Sequence, residues 1–221
     1  MKYMNNVFLK CQRFFQMILG VTLVACGLAL MIKSNLGQTA LTSFTQCISE
    51  VTNIKSGTLV MFFYLTCIAL QIFIQGKDFE RIQFLQVVVS WIQGMIINMI
   101  CYDTPFLASI VPSNYITQWL FILLGILCIS FGVSITMVAN LVKQPFEQLV
   151  MVLSEKYDIA FSKLRTRADF LFVFLSLCLI LVFDLEFTML REGTWASMFL
   201  LGKSFVLTMP ITKKIFAVQV V

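Results

Sequence analysis

The chain has 221 residues, of which 59% are hydrophobic and only 12% are charged. Soluble domains carry about 25% charged residues, so this composition cannot cover a water-exposed globular surface, and a lipid bilayer is the expected partner. The net charge of +5 does not indicate nucleic-acid binding, because the basic residues lie between apolar segments and form no dense run.

The residue types also argue against catalysis and bound metals. The seven cysteines are scattered, no Cys-x-x-Cys pair occurs, and histidine is absent, so zinc and haem lack their usual ligands. No phosphate loop, His-Glu-x-x-His or Gly-x-Ser-x-Gly motif occurs, and the commonest general base is missing. We therefore predict that the protein is not an enzyme and holds no metal and no cofactor.

Six apolar segments reach or approach the about 20 residues that a membrane helix needs. A signal sequence with a lipoprotein-like cleavage box at residues 23–26 is an alternative interpretation of the first segment. The repeat described below runs through that box, however, and favours a retained helix. The predicted spans are residues 14–33, 57–75, 84–101, 116–138, 168–185 and 194–211.

Polar breaks follow the first and the fourth of these segments, at residues 33–44 and 139–148. After the first break, apolar residues recur at three- and four-residue steps, which predicts a short amphipathic helix over 42–54. A similar pattern predicts a second short helix over 146–157. Both are too short to span a membrane.

The remaining connections are polar. Residues 76–81 predict a tight turn, residues 162–167 predict a basic turn before the fifth span, and Pro210 is expected to end the sixth. We predict cytoplasmic ends and an extracytoplasmic linker around two membrane repeats. The boundaries are 1–13 for the N-terminus, 14–100 for the first repeat, 101–118 for the linker, 119–211 for the second repeat and 212–221 for the C-terminus.

The two halves of the chain repeat each other. Adding 105 takes Gly20 to Gly125 and Asn35 to Asn140, and it relates several further residues. Near the ends of the repeats the offset becomes 108, because Gly94 corresponds to Gly202. The further pairs are Gly27 and Gly132, Leu36 and Leu141, Ser49 and Ser154, Glu50 and Glu155, and Gly94 and Gly202.

Basic residues predict the orientation of the spans. With the N-terminus inside, twelve basic residues lie in inside segments, against Lys33, Lys55 and Arg191 outside, which agrees with the positive-inside rule. The inside set is Lys2, Lys10, Arg13, Lys77, Arg81, Lys143, Lys156, Lys163, Arg165, Arg167, Lys213 and Lys214.

Three spans per repeat place the second repeat upside down relative to the first. The predicted fold is therefore an all-α membrane protein of six transmembrane helices in two inverted three-helix repeats, each with a short interrupted or amphipathic helix after its first span. Secondary transporters often have this construction, with substrate bound at the repeat interface. The favoured function is a transporter-like protein for a small polar or anionic solute. The alternative is a non-transporting accessory subunit that partners another membrane or export protein.

The predicted substrate-binding residues are polar groups in the breaks and inside two spans. Lysine within a span is costly and tends to face a partner or a cavity. The set is Asn35, Gln38, Thr39, Gln93, Asn140, Gln144 and Lys203. In the competing interpretation, the breaks are interfacial loops with surface helices, the asparagines only cap helix ends, and Lys203 reaches the lipid boundary. Glu147 and Asp169 are expected to pair with Lys143 and Arg165.

The glycine pattern of the spans resembles that of a known family. Residues 27–37, residues 56–58 and residues 193–203 are similar to segments of the YczE/YyaS/YitT family of bacterial integral membrane proteins. Relatives often continue the first Leu-Gly with Pro-Trp-Asp, whereas Gly37 is followed here by Gln-Thr-Ala. The resemblance implies a bacterial cytoplasmic membrane and a presumed transport role.

Overall fold

A computed structural model describes residues 2–216, with side chains from Leu9 onward apart from that of Lys10. Over these residues the chain is all-helical and contains no strand, which confirms the predicted all-α class. The predicted cytoplasmic ends lie partly outside the described residues. The α-helices of the described residues are α1 (Lys2–Lys33), α2 (Ala40–Thr52), α3 (Ser56–Gln75), α4 (Leu85–Asn98), α5 (Pro105–Ala108), α6 (Tyr115–Ala139), α7 (Pro145–Tyr157), α8 (Phe161–Phe183) and α9 (Glu192–Phe216).

Five helical segments of the described chain are long and apolar enough to cross a membrane. They are Cys11–Lys33, Ser56–Asp78, Arg81–Asp103, Tyr115–Ala139 and Phe161–Phe183. Helix α9 is as long as α6, at 25 residues, but it is not among them, because a lysine, a proline and several hydroxyl side chains interrupt its apolar residues. The chain is thus a multi-pass helical membrane protein, and the predicted sixth span is not confirmed.

The later helices differ from prediction at their ends. The basic stretch 162–167, predicted as a turn, instead belongs to the first turns of α8. Lysine and arginine are good helix formers, and Arg165 pairs with Asp169 one turn later, so the stretch extends the helix. Helix α9 continues through Pro210 rather than ending there, because a proline that removes one backbone hydrogen bond can kink a helix without breaking it.

An asparagine in the left-handed conformation follows the end of each helix that precedes a break. Asn35 has φ of 55° and Asn140 has φ of 49°, a region that asparagine enters more readily than most residues. Helix resumes after the N-caps Thr39 and Gln144. The Thr39 side chain accepts a hydrogen bond from the Thr42 N–H, and a proline occupies the first position of α7. Each break is therefore a short non-helical connection between two helices.

Helices α2 and α7 have matching bounds and matching local contacts. Both have 13 residues, and adding 105 to the bounds 40 and 52 gives 145 and 157. Ser49 Oγ donates to the Ile54 carbonyl at 2.6 Å, and Ser154 Oγ donates to the Ile159 carbonyl at the same distance. Helix α8 has 23 residues where α3 has 20, so the offset grows by three there. Both predicted short helices are confirmed close to their predicted bounds.

Helices α1 and α6 pack antiparallel through their glycines. A methyl group added to Gly20 would lie 2.7 Å from the carbonyl oxygen of Gly132, and one added to Gly27 would lie 2.7 Å from that of Gly125. Residue numbers rise along α1 as they fall along α6, so the two helices run in opposite directions. Small residues let the backbones approach this closely. In the repeat, Gly20 corresponds to Gly125 and Gly27 corresponds to Gly132. Each glycine of α1 therefore contacts the residue that corresponds to the other glycine of α1.

The remaining helices pack in corresponding pairs. Helix α2 lies against α8 and α7 lies against α3, while α4 lies beside α1 and α9 beside α6. An aromatic cluster joins α2, α3, α7 and α8, with ring centroids between 5.4 and 6.0 Å apart along its contacts. Its members are Phe44, Phe63, Phe146 and Phe172. The short helices therefore pack inside the bundle, each against a long helix of the other half of the chain.

Candidate functional site

The two breaks begin at opposite ends of the bundle, because each follows the C-terminus of one helix of the antiparallel α1–α6 pair. Asn35 is exposed beside the start of α9, where its carbonyl oxygen accepts a hydrogen bond from Arg191 Nη1 at 3.4 Å. Asn140 is exposed at the other end and lines a cavity of about 120 Å³ with Glu80 and Gln83. The two asparagines end helices and do not meet in one cavity, which agrees with the competing interpretation of their role.

The first turns of α2 and α7 do come together inside the bundle. Their N-cap residues, Thr39 and Gln144, line the same cavity of about 50 Å³. Gln144 is buried, and its Oε1 accepts a hydrogen bond from Gln93 Nε2 at 3.4 Å. Three predicted site residues are thus close to one another. Within the described part of the chain, Gln93 Oε1 and Gln144 Nε2 have no hydrogen-bond partner.

A larger cavity of about 350 Å³ lies between α8 and α9, against α6 and the start of α2. Small-molecule sites measure roughly 300–1,000 Å³, so the space suits a small solute. Thr39 lines both this cavity and the smaller one. The charged residues of its wall are Glu147, Arg165 and Asp169, and most other lining residues are apolar.

Gln38 and Lys203 do not line this cavity. Gln38 is buried, its N–H donates to Thr194 Oγ1 at 3.2 Å, and its carbonyl accepts from Ser197 Oγ at 3.3 Å, so it fixes the first break to α9. Lys203 is exposed, although its neighbour Gly202 does line the cavity. The exposed position agrees with a lysine at the lipid boundary.

The cation of the cavity wall already has partners. Arg165 Nη1 donates to Asp169 Oδ1, and the guanidinium carbon lies 4.6 Å from the ring centroid of Phe146. Glu147 differs, because its Oε2 atom is buried and has no hydrogen-bond partner among the described residues. Burial raises the pKa of the Glu147 carboxyl, although the Arg165 guanidinium acts in the opposite direction. Glu147 is thus the charged side chain of this wall that has a buried oxygen without a hydrogen-bond partner among the described residues.

Glu147 was not among the site residues predicted from the sequence. The predicted pair of Asp169 and Arg165 is confirmed, but Lys143, the other expected cation, has its amine against the Met151 sulfur. The sequence signals for Glu147 were its predicted pairing and its place in the first turn of α7, where the helix end favours an acidic residue.

Helices α8 and α9 of the second repeat correspond to α3 and α4 of the first. The cavity exists because α8 and α9 are apart at the positions where α3 and α4 touch. In α3 and α4, a methyl group added to Gly94 would lie 2.7 Å from the carbonyl oxygen of Gly57. The counterparts are Ser162, from 57 plus 105, and Gly202, from 94 plus 108. Both line the cavity, and a methyl group added to Gly202 would have no described atom within 4 Å.

The described residues offer no group of three or more cysteine, histidine or carboxylate side chains that could hold a metal ion. The cysteines with described side chains are all free thiols. The absence of a metal, a cofactor and an enzymatic activity stays a prediction from the sequence.

These features define a multi-pass helical membrane protein whose short helices point their first turns toward the cavity between α8 and α9. Residues 11–210 match the model of DUF6198, described as a family of unknown function. Because the match covers most of the chain, the protein belongs to this family. No curated protein and no solved structure matches it. The match does not name the YczE/YyaS/YitT family, so that resemblance stays a prediction.

Proposed function

We propose that this protein is a transporter of the bacterial cytoplasmic membrane, with six spans in two inverted repeats, and that it binds a small solute in the cavity between α8 and α9. The observation that carries the proposal is the difference between two corresponding helix pairs. The α3–α4 pair is closed at its glycines, whereas the α8–α9 pair is open around a solute-sized cavity.

The glycine contacts support the inverted repeats. In a two-fold arrangement, residue i of one unit contacts residue j of the other, and j contacts i in return. Gly20 meets the counterpart of Gly27, and Gly27 meets the counterpart of Gly20. Since α1 and α6 are antiparallel, the axis that relates them lies across the helices, in the plane of the membrane. The paired contacts of α2 with α8 and of α7 with α3 have the same reciprocal form.

Helix directions support six spans with both ends inside. Gln16 Nε2 donates to the Phe216 carbonyl at 3.0 Å, so the start of the first span, Cys11–Lys33, and the end of α9 lie together. With the N-terminus inside, as the basic residues indicate, the cavity beside the first half of α8 faces the cytoplasm. The closed contact at Gly57, near the start of α3, then lies toward the outside.

The transport step follows from this geometry. Inverted repeats can exchange conformations, so that the closed pair opens as the open pair closes. In the exchanged state, Ser162 and Gly202 would approach each other, and Gly57 and Gly94 would separate. The solute would then reach the outer face without the two gaps ever being open together. The N-termini of α2 and α7 remain beside the solute in both states.

An accessory role is the second candidate function from the sequence. It predicts a dry interior and binding through an outer groove. The cavity lined from both halves of the chain, by Thr39 and Glu147 among others, favours transport over that role.

Ligand binding tests the proposed function. The protein in lipid nanodiscs is screened against small metabolites by thermal unfolding, because a ligand of the folded state raises apparent stability. Gly202→Trp serves as the matched variant, since it fills the cavity from a position with open space around it. We expect at least one metabolite to stabilise the native protein and not the variant. If every ligand that stabilises one stabilises both equally, the cavity is not the site.

Topology is tested separately by labelling with a membrane-impermeant thiol reagent. Asn114→Cys and Ser162→Cys are introduced singly after the native cysteines are replaced. We expect labelling from outside at position 114 only. Labelling of position 162 from outside would contradict the proposed orientation.

A further inference from the structure

The cavity wall between α8 and α9 carries an uneven set of charges. Its charged residues are two carboxyl groups and one guanidinium. The guanidinium of Arg165 is engaged on two sides, by the Asp169 carboxylate and by the Phe146 ring. An entering anion would therefore find no uncommitted cation in this wall. Lys203, which the sequence offered for that purpose, is exposed and does not line the cavity.

Glu147 is the charged group of the wall that still lacks a partner. Its Oε2 atom is buried without a hydrogen-bond partner among the described residues. A buried polar group left unpaired costs free energy, and a buried charge costs more. A solute that brings a hydrogen-bonding cation to this carboxyl group would remove that cost. The Glu147 residue lines both the larger and the smaller cavity, so it forms part of the wall that a solute would contact.

The rest of the larger cavity suits an apolar body. Aliphatic side chains from α6 and α9 form much of its wall, and the rings of Phe161 and Phe205 line it as well. Aromatic faces attract organic cations in addition to burying apolar surface. The wall thus combines one unpaired carboxyl group with a mainly apolar and partly aromatic surface.

We infer that the solute of this cavity is a small amphipathic organic cation, such as an alkylamine, whose ammonium group pairs with Glu147 while its apolar part lies between α8 and α9. The inference rests on the proposed function, because it assigns a chemical class to the same cavity. It replaces the anionic solute expected from Lys203.

Three probes of equal chain length test this class. Hexylamine, hexanol and hexanoate are added to the protein in nanodiscs of phosphatidylcholine, and the unfolding midpoint is recorded. At a concentration 100-fold above its Kd, hexylamine should raise Tm by about 5–10 °C. Hexanol enters the same lipid without a charge, and hexanoate carries the opposite charge, so neither should match this rise.

Two variants locate the response. Glu147→Gln keeps the size of the side chain and removes its charge, and Gly202→Trp fills the cavity and keeps the carboxyl group. Both should lose the hexylamine response. If either variant responds as the native protein does, the cavity or the carboxyl group is assigned wrongly, whereas loss in both supports the assignment.

The result separates this inference from the proposed function. If only hexanoate or hexanol stabilises the protein, and Gly202→Trp abolishes that effect, the solute is not a cation, although the cavity remains a solute site. No response to any probe also overturns the assignment of alkylamines. The metabolite screen with the cavity-filling variant then decides the proposed function independently.

Discussion

The same glycine-to-alanine change should have opposite effects at two corresponding positions, Gly94 and Gly202. A methyl group at Gly94 would lie 2.7 Å from the Gly57 carbonyl oxygen and 3.0 Å from Met61 Cβ, so backbone must shift. Overpacking of this kind costs about 1–3 kcal/mol. At Gly202 the methyl group meets no described atom within 4 Å.

The helix-propensity term is common to both variants. Alanine stabilises a helix interior by roughly 0.5–1 kcal/mol relative to glycine, and both positions lie inside helices. Gly202→Ala should therefore be neutral or slightly stabilising. Gly94→Ala should be destabilising, and the difference between the two variants should equal the steric cost of about 1–3 kcal/mol.

The measurement is equilibrium unfolding of the purified variants in mixed micelles, followed by circular dichroism. Gly57→Ala and Ser162→Ala form a second corresponding pair, in which the first should be destabilising and the second close to neutral. Equal free energies of unfolding for Gly94→Ala and Gly202→Ala would refute the unequal packing of the two helix pairs.

Three further predictions concern buried and partly buried polar groups. Glu147→Gln should be more stable than the native protein at pH 8, because burial raises the pKa of the native carboxyl, and native stability therefore falls as pH rises from the unfolded pKa to that raised value. In thermal unfolding against pH, the difference in stability should close toward about pH 4, near the unfolded pKa, and a difference that widens there would contradict this. Gln71→Leu should lower the free energy of unfolding by about 1–3 kcal/mol, because it leaves the Gln86 amide unpaired. The Gln71→Leu, Gln86→Leu double variant should recover part of this loss, and a single variant as stable as the native protein in denaturant unfolding would contradict this pairing. Ser49→Ala and Ser154→Ala should each lower the free energy of unfolding by about 1 kcal/mol, because each removes the matching serine hydrogen bond. Clearly unequal losses in denaturant unfolding would argue against the equivalence of α2 and α7.

Local chain chemistry made much of the fold predictable. The breaks and the short helices are encoded by neighbouring residues, such as Asn35 and Asn140 after the helix ends and Thr39 at a helix start. The offset of 105 is visible because the same residue types recur in both halves of the chain. Predictions failed where a polar stretch continued a helix, as at residues 162–167. There, pairing along the helix surface outweighed the composition that suggested a turn.

The candidate site depended on packing that the sequence does not encode locally. Lys203 and Gly202 are adjacent, yet only the glycine lines the cavity, because the rotation of α9 is set by its contacts with α6. Asn35 and Asn140 are repeat counterparts, but an inverted relation sends them to opposite ends. Gln93 and Gln144 come together only through the packing of the helices that carry them. The importance of Glu147 depends on the lack of a partner, which only a structure can show.

Distances across the two corresponding helix pairs test the central claim most directly. Spin labels are placed on the exposed Phe62 and Trp91 for α3–α4, and on their counterparts Arg167 and Phe199 for α8–α9, since 62 plus 105 is 167 and 91 plus 108 is 199. Pulsed electron paramagnetic resonance in nanodiscs then measures the distance across both pairs with and without a ligand from the screen. We predict a short and a long distance for each pair. A ligand should increase the share of the long distance in one pair and decrease it in the other. A single, ligand-independent distance in each pair would contradict transport by exchange of the open and closed helix pairs.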